Sequence, residues 1–219
     1  MPATEAALWA MIHAERRALA DDLAEVSTEQ WSTRSLCSEW TVEDVVAHLT
    51  AAASTGRVRW LRSMAGARFD PAVHNARLLA RHRGADPAET LARFRSVLDS
   101  TTAASGHTPA WLGEIVVHAQ DIRQPLGLPA RPGLEPCTEV ARFFASRNFA
   151  VNSKDAVAGL RLEATDGPFT AGSGPLVTGP TLALTLAMAG RAAYCAELTG
   201  PGAAALRERC ADRDRSPRR

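Results

Sequence analysis

The stretch Trp111-Leu-Gly-Glu114-Ile-Val-Val-His118-Ala-Gln-Asp121-Ile-Arg123-Gln-Pro-Leu-Gly127 determines how the rest of the chain is interpreted. Thr108 as a cap and Pro109 in the first turn predict a helix start, and Gly127 predicts its end. Because Glu114 and His118 are four residues apart, their side chains project from one helical face. This pair can bind one metal ion if a third ligand comes from elsewhere. The same spacing is also common in surface ion pairs, so spacing alone leaves both interpretations open.

Composition and charge restrict the class of protein. With 219 residues and 46% hydrophobic content, the chain can bury a core, as one large domain or as a medium and a small one. A net charge of +1 without a basic stripe argues against nucleic-acid partners. No run approaches the roughly 18 apolar residues of a membrane span, and no signal peptide is recognisable. We expect a cytoplasmic monomer or homodimer without membrane partners, and its widely spaced cysteines predict reduced thiols.

Hydrophobic periodicity predicts four main helices before the middle of the chain. They cover about 4–26, 41–66, 86–102 and the opening stretch, and a polar connection over 68–85 carries a possible short helix at 71–81. Four such helices with one long crossover indicate a four-helix bundle. A further helix over 138–152 either braces this bundle or leads into the next domain.

After residue 153 the pattern changes to short strands and turns, followed by a helix that begins near Thr181. The predicted fold is therefore mostly α, with a helical bundle over 1–152 and a small α+β domain over 153–210. The charged segment 211–219 is predicted to be a disordered tail.

His48 is the expected third ligand of the metal site. It lies at the edge of the buried stripe of the second helix, where a histidine is also often a hydrogen-bonded core residue. Together with Glu114 and His118 it would form a two-histidine, one-carboxylate set that leaves coordination positions open. Zinc is the first expectation, and the ligand types alone do not separate zinc from nickel, iron or manganese.

Two motifs carry a resemblance to a known family. The first motif is Cys37-Ser-Glu-Trp40-Thr-Val-Glu-Asp-Val-Val-Ala-His48-Leu-Thr, and the second is Gly-Glu114-Ile-Val-Val-His118-Ala-Gln-Asp-Ile-Arg-Gln-Pro-Leu-Gly. Both resemble the paired signatures of the mycothiol-dependent maleylpyruvate isomerases, within the DinB-like metal-binding bundles. Four motifs later in the chain resemble that family's second domain: Asp-Gly-Pro-Phe, Val-Thr-Gly-Pro, Ala-Gly-Arg191 and Glu-Leu-Thr-Gly-Pro-Gly. The resemblance covers nearly the whole chain.

The resemblance implies that His48, Glu114 and His118 bind a divalent metal and that mycothiol is the thiol cosubstrate. A divalent cation lowers the pKa of a coordinated thiol. The implied chemistry is thiolate addition to a cis double bond conjugated to a carbonyl, bond rotation and elimination to the trans isomer, or transfer of the thiolate to an electrophile. Because the reactive thiol would come from the cosubstrate, Cys37 is interpreted as a packing residue, and Trp40 as core or pocket wall.

Three more residues receive provisional catalytic roles. Asp121 either orients a metal ligand or binds substrate, or it forms a helix salt bridge with Arg123. Arg123 either holds a substrate carboxylate or complements the helix dipole, and Arg191 is expected to neutralise a substrate carboxylate. We therefore predict an isomerase or S-transferase for a small electrophile that bears a carboxylate. The alternatives are a hydrolase or lyase that uses metal-activated water, and a non-enzymatic metal-binding or regulatory protein.

Overall fold

A computed structural model describes residues 3–37, 39–129, 132–149 and 151–215. The described residues form two compact units, one over residues 4–129 and the other over residues 132–215 together with Ala3. Helices dominate both, and the small sheet lies in the second unit, so the predicted mostly α fold class is confirmed. Within the described residues, no helix has the length and apolar character needed to cross a membrane.

The first unit is a ring of four helices with a helical hairpin inserted between two of them. Its helices are α1 (Glu5–Ala24), α2 (Val42–Ser54), α3 (Arg57–Gly66), α4 (Pro71–His82), α5 (Pro87–Arg95) and α6 (Thr108–Arg123). Helix α1 packs against α5 and α6, and α2 packs against the same two helices, which closes the ring. Helix α4 lies on α2, and α3 lies on α4. The ring encloses apolar side chains that are almost fully buried: Ile12, Leu19, Val45, Val46, Phe94, Leu112, Ile115 and Ile122.

The predicted start and stop signals act at most helix ends. Thr41 caps α2 in a capping box with Asp44, and Asp86 caps α5 by accepting from the backbone N–H of Glu89. Gly127 terminates the segment after α6 with a φ of 66°, which is the left-handed conformation that glycine tolerates. The cap of α6 is His107, so Thr108, the predicted cap, is the first residue of the helix.

Two predicted helices are shorter in the structure. The second helix is interrupted because Thr55 takes an extended backbone and Gly56 becomes the cap of α3. The third helix ends at Arg95, where Ser96 closes the last turn. The possible short helix in the polar connection is confirmed as α4.

By its internal contacts, the second unit begins at residue 132. It contains α7 (Leu134–Ser146), α8 (Ser153–Ala156), β1 (Arg161–Ala164), β2 (Thr170–Gly172), β3 (Leu176–Gly179), α9 (Thr181–Met188), a 3-10 helix (Ala192–Glu197) and α10 (Ala203–Arg215). Strand β1 is central, antiparallel to β2 and parallel to β3. Helix α7 belongs here because its apolar face packs against the buried α9.

Helix α10 continues to Arg215. Three hydrogen bonds hold the helix beyond residue 208. Cys210 Sγ donates to the Ala187 carbonyl, and Arg209 Nη1 donates to the Ala156 and Ala158 carbonyls. Residues 216–219 of the predicted tail lie outside the described residues. All four cysteines lie in the described part of the chain, are buried and form no disulfide, as predicted.

Candidate metal centre

Three predicted ligands converge where α2 packs against α6. His48 Nε2 lies 2.5 Å from Glu114 Oε1, and His118 Nε2 lies 3.6 Å from the same oxygen. One ligand atom from each residue lies within 4.8 Å of the other two. The fold thus brings together side chains that are 66 positions apart in the sequence.

Trp40 forms one side of this cluster. Its ring centroid lies 4.7 Å from that of His48 and 6.2 Å from that of His118, while the two imidazoles meet edge to face at 4.9 Å. Trp40 directly precedes Thr41, the N-terminal cap of α2. The indole is half-buried, which agrees with the expected pocket wall.

The second ring nitrogen of His118 is held by a buried carboxylate. Asp121 Oδ2 lies 2.9 Å from His118 Nδ1, and Asp121 is completely buried. An ionised carboxylate only accepts hydrogen bonds, so the network assigns the proton to Nδ1 and leaves the Nε2 lone pair toward Glu114 and His48. That tautomer is the one a metal ligand needs when the metal binds through Nε2.

The electrostatic surroundings of His118 favour positive charge. Burial by itself lowers the pKa of this imidazole, but the acidic groups of Cys37 and Glu114 and hydrogen bonds to Asp121 and Cys37 outweigh it and raise the pKa to about 10. At neutral pH the metal-free ring therefore carries a proton on Nε2 as well as on Nδ1, and a divalent cation would take the place of the Nε2 proton, because both carry positive charge.

The donor set fits a divalent first-row metal ion. Imidazole nitrogen and carboxylate oxygen suit zinc, nickel, iron and manganese alike, so the residues do not choose among them. The side chains of His48, Glu114 and His118 are 19%, 22% and 10% exposed, so one side of the cluster faces solvent. A set of three protein ligands with an accessible side is the arrangement of a catalytic metal site rather than of a closed structural one.

The other two predicted catalytic residues, Arg123 and Arg191, make their hydrogen bonds to groups other than the three ligands. Arg123 is fully buried, and its Nε donates a 2.7 Å hydrogen bond to Asp22 on α1, so the helix salt bridge considered between Asp121 and Arg123 does not form. Arg191 is buried within the second unit, where its Nη1 donates to the Ala189 carbonyl. The structure therefore groups Asp121 with the three ligands and directs Arg123 toward α1.

Cys37 is the residue at this site that sequence reasoning missed. Its Sγ lies 3.2 Å from Asp121 Oδ2 and 3.7 Å from His118 Nδ1. The only signal in the sequence is its place in the motif that leads through Trp40 to His48. A motif fixes the position of a residue in the chain and leaves its contact with another helix unspecified.

Comparisons with known proteins find one family model and two solved structures that are similar to this chain. Residues 12–112 match the family model described as mycothiol maleylpyruvate isomerase N-terminal domain, a segment that contains His48 and ends just before Glu114. No curated protein matches the sequence significantly. Two crystal structures of the mycothiol-dependent maleylpyruvate isomerase, one of them of a histidine-to-alanine mutant, are similar to this chain. Each has 15% sequence identity and a TM-score of 0.64, over 92% of this chain and 94% of that chain.

At this identity the structural likeness concerns the fold, and the family-model match supplies the link between the sequences. The resemblance inferred from the two histidine motifs is confirmed. Residues 12–112 thus match the model of the mycothiol maleylpyruvate isomerase N-terminal domain family, and the chain shares the fold of the mycothiol-dependent maleylpyruvate isomerase over nearly its whole length.

Proposed function

We propose that this chain is a metal-dependent enzyme that uses a low-molecular-weight thiol of the mycothiol type to isomerise a small electrophile or to transfer the thiol to it. The observation that carries the proposal is the convergence of His48, Glu114 and His118 on one accessible point. The family match over residues 12–112 and the shared fold support the choice of thiol and reaction.

His48, Glu114 and His118 would hold the metal, with zinc as the first choice. When bound there, a divalent cation lowers the pKa of a coordinated thiol and so supplies a nucleophile at neutral pH. Asp121 keeps the proton of His118 on Nδ1, so that Nε2 stays available as a ligand atom. Trp40 covers the flank of His48 and keeps that side of the cluster apolar.

The proposed substrate is small, electrophilic and carboxylate-bearing, with a double bond conjugated to a carbonyl in the isomerase case. The roles toward this carboxylate that the sequence suggests for Arg191 and Arg123 stay predictions, since a guanidinium can hold a carboxylate through two parallel hydrogen bonds. Cytoplasmic location and a monomeric or homodimeric state stay predictions.

The first test measures metal content in the wild type, His48→Ala and Glu114→Gln. His82→Ala is the matched control, because His82 lies on α4 outside the cluster. We expect about one metal ion per wild-type chain, loss of metal in the two ligand variants and retention in the control.

The second test incubates the metal-loaded chain with a panel of conjugated cis-alkenoic acids, with and without mycothiol. Isomerisation leaves the thiol concentration unchanged, while S-transfer consumes it, so the thiol balance separates the two activities. Stoichiometric metal with no thiol dependence in any reaction would contradict the proposal. Turnover in thiol-free buffer would instead indicate the alternative in which metal-activated water reacts.

A further inference from the structure

Cys37 occupies a fixed position beside the metal centre. It is 5% exposed, and its Sγ contacts Asp121 Oδ2 at 3.2 Å, while Asp121 Oδ2 also contacts His118 Nδ1 at 2.9 Å. The carboxylate accepts, the imidazole Nδ1–H donates, and a thiol is a donor as well. Asp121 therefore receives hydrogen bonds from both neighbours.

The arrangement is not that of a cysteine nucleophile. An activated nucleophile contacts one nitrogen of its histidine while the carboxylate orients the other nitrogen. Here the thiol and the carboxylate share the Nδ1 side of His118, and Nε2 faces Glu114. The burial of Cys37 also keeps its sulfur from a substrate.

The backbone around Cys37 is tied both to itself and to α6. The Leu36 N–H donates to the Asp121 carbonyl at 3.0 Å, and the Cys37 N–H donates to Ser35 Oγ at 3.1 Å. The Trp40 N–H donates to the Cys37 carbonyl at 2.7 Å. Asp121 thus contacts this loop through its backbone and its side chain, and the same loop carries the indole that packs on His48.

We propose that Cys37 is a positioning residue of the metal centre. Its thiol holds the Asp121 carboxylate in the orientation that accepts the Nδ1 proton of His118, which directs the Nε2 lone pair toward the metal. The inference rests on the metal site of the proposed function and assigns to Cys37 a role in metal affinity. Hydrogen-bond partners of metal ligands typically change affinity by about 10–100-fold when they are removed.

The test measures the affinity of the chelator-stripped full chain for Zn²⁺ alone, by competition with a chromophoric chelator. Cys37→Ala removes the donor, and Cys37→Ser keeps a donor in a smaller side chain. Cys137→Ala is the matched control, because Cys137 is equally buried but lies in the second unit. We expect Cys37→Ala to bind Zn²⁺ about 10-fold more weakly or worse. Cys37→Ser should stay within a few-fold of the wild type, and the control should equal it.

A second readout is the His118 tautomer in the Zn²⁺-loaded chain, observed by nitrogen–proton correlation in ¹⁵N-labelled protein. The Nδ1-protonated form should dominate in the wild type and in Cys37→Ser. Circular dichroism checks that each variant is folded, and Cys37→Val, which has no donor, replaces Cys37→Ala if the alanine variant is unfolded.

Wild-type affinity in a folded variant that has no donor at position 37 would overturn the inference. So would equal weakening in Cys37→Ser and in the variant without a donor, because loss of packing rather than of a hydrogen bond would then explain it. A wild-type chain that does not bind Zn²⁺ would contradict the proposed function itself. That result is distinct from equal binding by wild type and Cys37→Ala, in which the metal site stands and only the role of Cys37 fails.

Discussion

Replacing Asp22 with alanine should destabilise the chain without changing its metal affinity. Arg123 is completely buried at the end of α6, and its Nε donates a 2.7 Å hydrogen bond to Asp22 Oδ2 on α1. The described residues give Nη1 and Nη2 of the same guanidinium no hydrogen-bond partner. Asp22 is therefore the carboxylate that balances this buried charge.

The size of the effect follows from the exposure of the two partners. Removing one partner of a buried ion pair costs about 3–5 kcal/mol, because the remaining charge stays buried. The Arg123 side chain is 0% exposed but that of Asp22 is 26% exposed, so water at the Asp22 end reduces the loss. We expect a loss of about 2–4 kcal/mol in the free energy of unfolding. For a chain of this size the melting temperature should fall by roughly 5–15 °C.

Urea denaturation followed by circular dichroism measures this loss. Asp21→Ala is the control, because Asp21 is the exposed neighbour on the same helix and its replacement should cost less than about 0.5 kcal/mol. In Asp22→Ala/Arg123→Met the buried charge is gone, so the double variant should be more stable than Asp22→Ala alone. Equal stability of Asp22→Ala and Asp21→Ala, or no recovery in the double variant, would refute the buried-charge reasoning. Zn²⁺ affinity should be unchanged in Asp22→Ala.

Three further predictions concern the metal, the pocket wall and pH. Zn²⁺ at 100 times its Kd should stabilise the wild type by about 2.7 kcal/mol in thermal melts, since it binds the folded chain. Glu114→Gln should lose this gain, and Glu208→Gln, at an exposed position, should keep it. Trp40→Ala should raise KM while retaining metal, because the indole packs 4.7 Å from His48 and supplies no ligand atom; loss of metal would contradict this role. Burial, together with Arg81, Arg93 and Arg59, lowers the pKa of His82 from its usual 6.5, so the folded chain binds this proton less readily than the unfolded chain. The stability that His82 contributes should thus be present above about pH 6.5 and decline as pH falls below it. Urea midpoints of His82→Gln between pH 8 and 5 should therefore vary less than those of the wild type. An identical pH profile of the two proteins would argue against this assignment.

The parts of the fold that the sequence predicted correctly are those with local causes. The side chains of Thr41 and Asp44 each accept a hydrogen bond from the other residue's backbone N–H within one turn. Asp86 precedes a proline, which a helix tolerates in its first turn. The early boundary of the second unit has a non-local cause, because α7 is assigned by its packing against α9. Periodicity describes the apolar face of α7 but does not say which helix covers it.

The same distinction applies to the metal centre. Glu114 and His118 share a helix, so their spacing predicted a common face, and the family motif added His48. The contact of Cys37 with Asp121 joins positions 84 residues apart, and it depends on a loop whose backbone hydrogen bonds to α6. Sequence spacing carries no information about such a contact.

The hairpin of α3 and α4 contains a helix, α3, whose residues can be substituted with little loss of stability. Helix α3 buries none of its ten residues, and among the helices it packs mainly on α4, while the metal ligands belong to α2 and α6. Val58 and Leu61 on α3 are 63% and 50% exposed, so many side chains can replace them without leaving a cavity. Combinatorial libraries confined to α3 should therefore yield mostly folded, metal-binding variants.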